Sequence, residues 1–144
     1  MIFEKQAIFE FDEAHPHCHC SVIQELPNGE LMAVWYAGEN EAHKTVGLKA
    51  SWKPLKGGQW TPPQMIHKTP NRPDGNEVII FYQGKLYLYF NTVFSRLFPW
   101  QNVRLFQKIS DDMGRTWSKP RLILDTKGYT VRTKPIIVKD HLII

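Results

Sequence analysis

The sequence predicts an all-β protein. Three observations support this fold class: short apolar runs bounded by Gly, Pro and Asn, hardly any stretch of helical periodicity, and an aromatic content of 12%. Similar segments recur about every 55 residues, and such a period is typical of repeat architectures. Each repeat is therefore expected to form one structural unit.

Each repeat contains a predicted β-hairpin of two apolar strands. In the first hairpin, Asn28 and Gly29 are expected to supply the positive φ angles that a two-residue turn needs. The paired strands are residues 21–26 with 31–36, residues 78–82 with 86–90, and residues 135–138 with 142–144.

Two further strands complete each repeat. Residues 46–51 correspond to 103–110, and residues 60–66 correspond to 117–123. Four antiparallel strands per repeat are the blade of a β-propeller. The predicted blades are residues 15–70, residues 74–127 and the start of a third at 130–144, within one partial propeller domain over residues 1–144.

The number of blades bears on completeness and association. Residues 1–144 hold about two and a half blades, whereas a closed propeller has about four to eight. We therefore expect a fragment of a longer protein. Its unfinished blades are expected to favour self-association through exposed strand edges and apolar faces.

The most specific motif lies in residues 110–117, which read Ser-Asp-Asp-Met-Gly-Arg-Thr-Trp. It predicts a self-contained turn in which Asp112 accepts turn amides, Gly114 takes the left-handed conformation and Trp117 fills the gap between sheets. Ser110 and Thr116 complete the pattern. Residues 57–60 of the first repeat keep its Gly and Trp.

Composition and charge argue against several partners. The 18 basic and 14 acidic residues are scattered along the chain, which disfavours nucleic acid. No apolar run approaches the roughly 18 residues of a membrane span, and residues 1–6 lack the features of a signal peptide, so a cytoplasmic location without a membrane partner is expected. Cys18 and Cys20 are too close for a comfortable disulfide and are expected to be free thiols.

The motif at Ser110–Trp117 matches the Asp box, Ser-x-Asp-x-Gly-x-Thr-Trp, at every defined position. With residues 17–29 and the Gly75-Asn76 pair, the chain resembles the sialidase-like propellers of the bacterial neuraminidase superfamily, and among them the predicted-neuraminidase BNR-repeat proteins. The resemblance covers residues 15–144. It implies a partial sialidase-like β-propeller, with about six blades in the full protein, and the Asp box on the outer rim.

The resemblance also implies a glycoside hydrolase that acts on an acidic glycan, without a cofactor. In characterised sialidases the first inner strand carries Phe-Arg-Ile-Pro, whose Arg pairs with the sialic acid carboxylate; that position is His19 here, and an imidazole offers no bidentate fork. The acid/base Asp would lie in the loop at residues 38–45, where Glu39 and Glu41 are the carboxyl groups. Either is a candidate proton donor or a solvated loop carboxylate.

The starts of the inner strands carry the candidate sugar ligands. Strand alternation predicts that His15, His17 and His19 share the channel face and that Cys18 and Cys20 pack between blades. The full set of candidate substrate-binding residues is His17, His19, Asn76, Glu77, Arg132 and Lys134. The alternatives are an Asx turn at Asn76 and Glu77, solvated charges at Arg132 and Lys134, and a structural role for the histidines.

Two other functions remain open from the sequence. One is a non-catalytic propeller that binds glycan or protein through the same channel face. The other is a metal-dependent hydrolase in which His17 and His19, joined by Glu39 or Glu41, hold a transition metal. In every case the isolated chain is expected to be inactive, because missing blades would supply the nucleophile.

Overall fold

The chain forms two four-stranded antiparallel sheets and a separate two-stranded hairpin. The computed structural model describes residues 5–54, 56–95 and 97–144, so residues 1–4 of the N-terminal stretch considered above lie outside it. The strands are β1 (His17–Glu25), β2 (Glu30–Gly38), β3 (Gly47–Pro54), β4 (Gln64–His67), β5 (Asp74–Tyr82), β6 (Lys85–Val93), β7 (Val103–Ser110), β8 (Arg121–Leu124), β9 (Ile136–Val138) and β10 (His141–Ile143). A 3₁₀ turn spans Pro99–Gln101. Nowhere in the described ranges is a helix long and apolar enough to cross a membrane.

The two sheets have the strand orders β1-β2-β3-β4 and β5-β6-β7-β8, and every pairing is antiparallel. Sequential antiparallel strands of this kind are the blades of a β-propeller. The predicted all-β fold and partial propeller are therefore confirmed. We call the sheets blade one and blade two.

The first hairpin turn differs from its prediction. Its loop runs from Leu26 to Gly29, where the Gly29 amide donates to the Leu26 carbonyl at 3.0 Å and only Gly29 of the Asn-Gly pair has positive φ. Pro27 favours the second position of such a wider turn. The two later hairpins have two-residue turns, Gln83-Gly84 and Lys139-Asp140, with positive φ at both residues.

A shared apolar core joins the two blades. Residues of β2 and β3 that point toward blade two meet the inner face of β5 and β6 there, with Trp52 1% exposed and Phe90 fully enclosed. The buried members from these four strands are Met32, Val34, Tyr36, Leu48, Ala50, Trp52, Ile79, Leu86, Leu88 and Phe90. Burying such side chains stabilises a fold by about 1.5–3 kcal/mol each, so this interface is a major source of stability.

The turn at Ser110–Trp117 has an internal hydrogen-bond network. The Asp112 carboxylate accepts bonds from the Thr116 amide at 2.8 Å and the Thr116 hydroxyl at 2.5 Å. The Ser110 hydroxyl donates to Asp112 and accepts from the Gly114 amide at 2.8 Å. Gly114 has a φ of 83°, in the left-handed region that favours glycine.

The same turn joins blade two to blade one. The Trp52 indole donates to the Met113 carbonyl at 3.0 Å, and Arg115 lies over the Trp52 ring while it pairs with Glu30 at 2.9 Å. Trp117 packs against the shared core. The turn follows the end of β7, so it lies at the opposite end of the blades from the start of β1.

The outer face of blade one is covered by the N-terminal segment, residues 6–15. Phe9 stacks on Trp35 with ring centres 5.6 Å apart, and Ile8 joins the same apolar cluster. Farther along, Lys49 makes an ion pair with Asp12. Residues 6–14 have no strand periodicity, so no structural role was predicted for them.

The close approach of Gly114 to blade one gives a test of the interface. A β-carbon at Gly114 would lie 2.8 Å from Met32, which is fully buried, whereas Gly84 has a similar φ of 80° and no atom within 4 Å of the added carbon. Gly114→Ala is expected to lower the free energy of unfolding by about 1–3 kcal/mol more than Gly84→Ala, because only the former overpacks a core. Urea unfolding measures both, and equal losses would contradict this account.

The Asp112 network gives an acid-dependent stability. Hydrogen bonds from the Thr116 hydroxyl and amide lower the pKa of Asp112 to about 2, so its contribution is present above pH 4 and is lost as the pH falls toward 2. Asp112→Asn is expected to cost about 1 kcal/mol at pH 6, and this difference should shrink between pH 4 and pH 2. The matched control is Asp111→Asn, which removes only an exposed pair with Lys85. Unfolding curves with the same pH profile for both variants would refute the prediction.

Candidate functional site

The candidate site is a cleft where the starts of β1 and β5 meet the segment before β9. Its volume is about 250 Å³. Four of the six predicted substrate-binding residues line it, namely Asn76, Glu77, Arg132 and Lys134, together with Cys20. It lies at the end of the blades opposite the turn at Ser110–Trp117.

Two equivalent β-bulges shape the cleft. The register of β1 shifts between His19 and Val22, and the register of β5 shifts between Gly75 and Val78. The first residue of each bulge, Cys20 or Asn76, has a positive φ near 50°, and the Cys20 sulfur lies 3.6 Å from the Asn76 side-chain oxygen. A bulge re-aims side chains away from the strict alternation of a strand.

A buried amide fixes the third wall of the cleft. Asn91, which is fully enclosed on β6, donates to the Tyr129 carbonyl at 3.0 Å and accepts from the Val131 amide at 3.1 Å. Val131 packs into an apolar cluster on the second face of blade two. These contacts hold the backbone next to Arg132, so this exposed cation stands on an anchored segment.

Glu77 lies beneath the cleft. Its residue is 2% exposed, and within the described part of the chain neither carboxylate oxygen has a standard hydrogen-bond partner. Burial raises the pKa of Glu77 well above its usual 4.5, and the Glu77 and Tyr36 backbone amides only partly oppose this. Both carboxylate oxygens are enclosed in this structure, and the predicted contact of Glu77 with sugar hydroxyls stays a prediction.

An aromatic wall stands beside Glu77. Tyr36 packs 5.3 Å from the His19 ring centre and 6.4 Å from that of Trp100. Gly75 permits this approach, because a β-carbon there would lie 3.2 Å from Tyr36 and 3.3 Å from Trp100. Burial raises the pKa of Tyr36, and the nearby Cys20, Glu41 and Glu77 raise it further.

The histidines and cysteines are arranged differently from the prediction. His17 and His19 share a face with their rings stacked, as alternation predicts. His15 instead precedes β1, turns back on Asp12 and meets Lys49 at 2.9 Å. Cys18 and Cys20 are free thiols, as predicted, but both are exposed rather than packed between blades, because Cys18 is on the edge strand and Cys20 enters the cleft through the bulge.

The two candidate acids in the loop at residues 38–45 point in different directions. Glu39 lies 3.5 Å from His43 in its own loop, with 62% of its side chain exposed. Glu41 is the carboxylate of this loop whose charge acts on Tyr36 at the cleft. Glu41 therefore remains the better-placed candidate of the two.

A metal centre at the histidines receives little geometric support. The His17 and His19 ring centres lie 6.5 Å apart in a stacked arrangement, and Glu39 turns toward His43. Across residues 5–54, 56–95 and 97–144, no group of three or more His, Cys, Asp or Glu side chains is arranged to hold a metal ion.

The sequence signal for part of this site was present but indirect. Arg132 stands as far before the Lys139-Asp140 turn as Asn76 stands before Gln83-Gly84, and Cys20 is the bulge equivalent of Asn76. The repeat period therefore relates three cleft residues. Tyr36 and Asn91 were missed because an aromatic and an amide within apolar strands look like ordinary core positions.

Comparison with solved structures shows the same fold in glycoside hydrolases. The Hadza microbial sialidase Hz136 is 18% identical with a TM-score of 0.66, over 77% of this chain and 27% of that one. Trypanosoma rangeli sialidase with 2,3-difluorosialic acid as a covalent intermediate is 13% identical with a TM-score of 0.63, over 80% and 24%. Zg3597, a family 117 glycoside hydrolase from Zobellia galactanivorans, is 15% identical with a TM-score of 0.68, over 93% and 49%.

The chain thus spans between 24% and 49% of the length of these three solved proteins. No curated protein sequence matches it significantly. The sequence model of the BNR repeat-like domain family matches residues 29–144, which include β2 to β10 and both faces of blade two. With a match over most of its length and a sialidase-like blade architecture, this chain belongs to the BNR repeat-like domain family.

Proposed function

We propose that the natural protein is a glycoside hydrolase that recognises the acidic group of a glycan in the cleft at Asn76, Arg132 and Lys134. One observation carries the proposal: the cleft presents two basic side chains beside an enclosed carboxyl group whose pKa is raised by burial. The sialidase-like fold of its structural relatives supports the same function.

The net charge of the cleft depends on Glu77. An ionised Glu77 would offset one of the two positive charges of Arg132 and Lys134. Since burial raises its pKa well above 4.5, Glu77 is neutral in mildly acidic solution and the cleft is positive. A guanidinium and an ammonium beside the Asn76 amide suit a carboxylate flanked by hydroxyl groups.

The proposed proton donor is Glu41. Glycoside hydrolysis requires a carboxylic acid that protonates the leaving oxygen as the glycosidic bond breaks. The charge of Glu41 raises the pKa of Tyr36, whose ring lies next to His19 and whose backbone amide faces the Glu77 carboxyl group.

A binding propeller without catalysis is the second candidate. It is favoured by the enclosure of Glu77 and by the contact of Glu39 with His43, which leave Glu41 as the one candidate acid among the described residues whose charge acts on Tyr36. A hydrolysis screen with acidic glycosides on wild type and Glu41→Gln separates the two. Binding of these glycosides with no cleavage by wild type would favour the binding propeller.

Removal of the Arg132 guanidinium should weaken recognition of acidic sugars. Arg132→Ala is expected to reduce the affinity of the natural protein for N-acetylneuraminic acid or glucuronic acid about tenfold, which corresponds to about 1.4 kcal/mol. The matched control is Arg121→Ala, an exposed cation on β8 outside the cleft. Calorimetric titration at low ionic strength measures both, and equal affinities for wild type and Arg132→Ala would contradict anion recognition here.

Removing the ionisable group at Glu77 should change stability but not anion binding. The pKa of Glu77 is higher in the folded protein than in the unfolded one. The contribution of its protonated carboxyl group to stability is therefore fully present below about pH 4.5 and is lost as the pH rises toward the folded pKa. At pH 8, the free energy of unfolding of Glu77→Gln is expected to exceed that of wild type by more than about 1 kcal/mol, since one pKa unit is worth about 1.4 kcal/mol. Exposed Glu25→Gln is the control. Tighter binding of glucuronic acid by Glu77→Gln at pH 6 would show instead that Glu77 is ionised.

A further inference from the structure

We propose that a second anion-binding site lies on the same rim, on the leaving-group side of the cleft, so that the preferred glycan carries two acidic groups. The site is a separate pocket of about 410 Å³ that we call the basic pocket, lined by Lys44, Asn71, Arg72 and Phe94. Its volume falls within the roughly 300–1,000 Å³ of ligand sites. This inference rests on the proposed function.

The basic pocket has an uncompensated positive charge. Lys44 and Arg72 line it, and no Asp or Glu does so among the residues that the structure describes. Neither cation forms an ion pair within those residues. The neighbouring Arg104, which also contacts Phe94, is by contrast neutralised by Asp125. Two positive charges without a counter-charge in a concave site attract anions.

Arg72 is held in position before any ligand arrives. Its guanidinium lies 4.2 Å from the Phe94 ring centre and donates one bond to the Phe94 carbonyl at 3.4 Å. Most of its five N–H donors stay available for a carboxylate or sulfate. A side chain that is already ordered loses little conformational entropy when it binds.

The loop that carries Arg72 is anchored as well. The Lys68 ammonium donates to the Arg72 carbonyl at 2.6 Å, and the Thr69 amide donates to the Asp74 carboxylate at 2.7 Å. Asp74 is itself enclosed and accepts a bond from the Thr92 hydroxyl at 2.6 Å. The loop between β4 and β5 is thus tied to the floor of blade two, which makes the pocket a preformed site.

A single loop connects the basic pocket with the cleft. In the loop between β2 and β3, Ala42 and Lys44 line the basic pocket, and the charge of Glu41 acts on Tyr36, whose ring packs on Gly75 beside the cleft residue Asn76. If Glu41 protonates the leaving oxygen, the groups beyond it belong to the leaving part of the glycan. An acidic group there, such as a sulfate or a second carboxylate, would meet Lys44 and Arg72.

The test compares two ligands that share one uronate and differ in a sulfate. Binding of unsulfated and sulfated chondroitin disaccharides is measured on the natural protein and on Arg72→Ala, Lys44→Ala and Arg132→Ala. The first two variants should bind the sulfated disaccharide about tenfold more weakly and the unsulfated one unchanged, while Arg132→Ala should weaken both. Lys119→Ala, an exposed cation at the opposite end of the blades, is the matched control.

The outcomes separate this inference from the proposed function. Equal binding of the sulfated ligand by wild type, Arg72→Ala and Lys44→Ala would overturn the basic pocket, whatever Arg132→Ala does. Should neither disaccharide bind wild type, recognition of a uronate by the cleft is refuted while the test with N-acetylneuraminic acid still decides the proposed function, and sodium sulfate decides the pocket by itself. A shift of the Arg72 side-chain NMR signal with sodium sulfate but not sodium chloride, lost in Lys44→Ala, supports the pocket; no shift overturns it.

Discussion

The packing of blade one against blade two is the constraint on which the rest of the structure depends. Met32, Trp52 and Phe90 are almost completely enclosed where the two blades meet. The turn at Ser110–Trp117 adds directional contacts to this apolar interface, through the Trp52 indole and the pair of Arg115 with Glu30. Because both blades are fixed relative to each other, the starts of β1 and β5 meet at the opposite end, where the candidate cleft forms.

The cleft and the basic pocket obtain their charge in different ways. In the cleft, burial raises the pKa of Glu77, which favours the uncharged form of its carboxyl group. In the basic pocket, the acidic group that would offset a cation is used elsewhere, as Asp125 is used by Arg104. Both arrangements leave cations facing solvent on one rim of the blades. On the other rim, Asp111 and Glu30 are paired with Lys85 and Arg115.

The fold was predictable from the sequence to the level of blades and strand order. Apolar runs, the repeat period and the motif at residues 110–117 each report local structure, and the two four-stranded sheets follow from them. The geometry of the first hairpin turn was not predictable, because Pro27 favours a wider turn than the two-residue turn that Asn-Gly indicates. The packing of the N-terminal segment on Trp35 was also not predicted. This contact depends on tertiary packing, and the segment has no strand periodicity that would indicate it.

The site was predictable in its membership more than in its geometry. Asn76, Glu77, Arg132 and Lys134 do meet in one cleft, as their equivalent places before inner strands indicate. The roles of the candidate residues could not be derived from the pattern, because the enclosure of Glu77 depends on neighbours from other strands and Glu39 contacts His43 within its own loop. The bulge in β1 also changes the side of the strand on which Cys20 lies. Strict alternation along β1 does not predict the extra residue that a bulge inserts.

The bulges also suggest how a repeat protein can change its ligand without changing its fold. The equivalent positions of the three repeats hold a thiol at Cys20, an amide at Asn76 and a guanidinium at Arg132. Backbone geometry, set by each inner strand, delivers whatever side chain stands there to the same cleft. The repeats thus place three different side chains at equivalent positions around one opening, so a substitution at any of them changes the chemistry of the cleft while the blades stay the same.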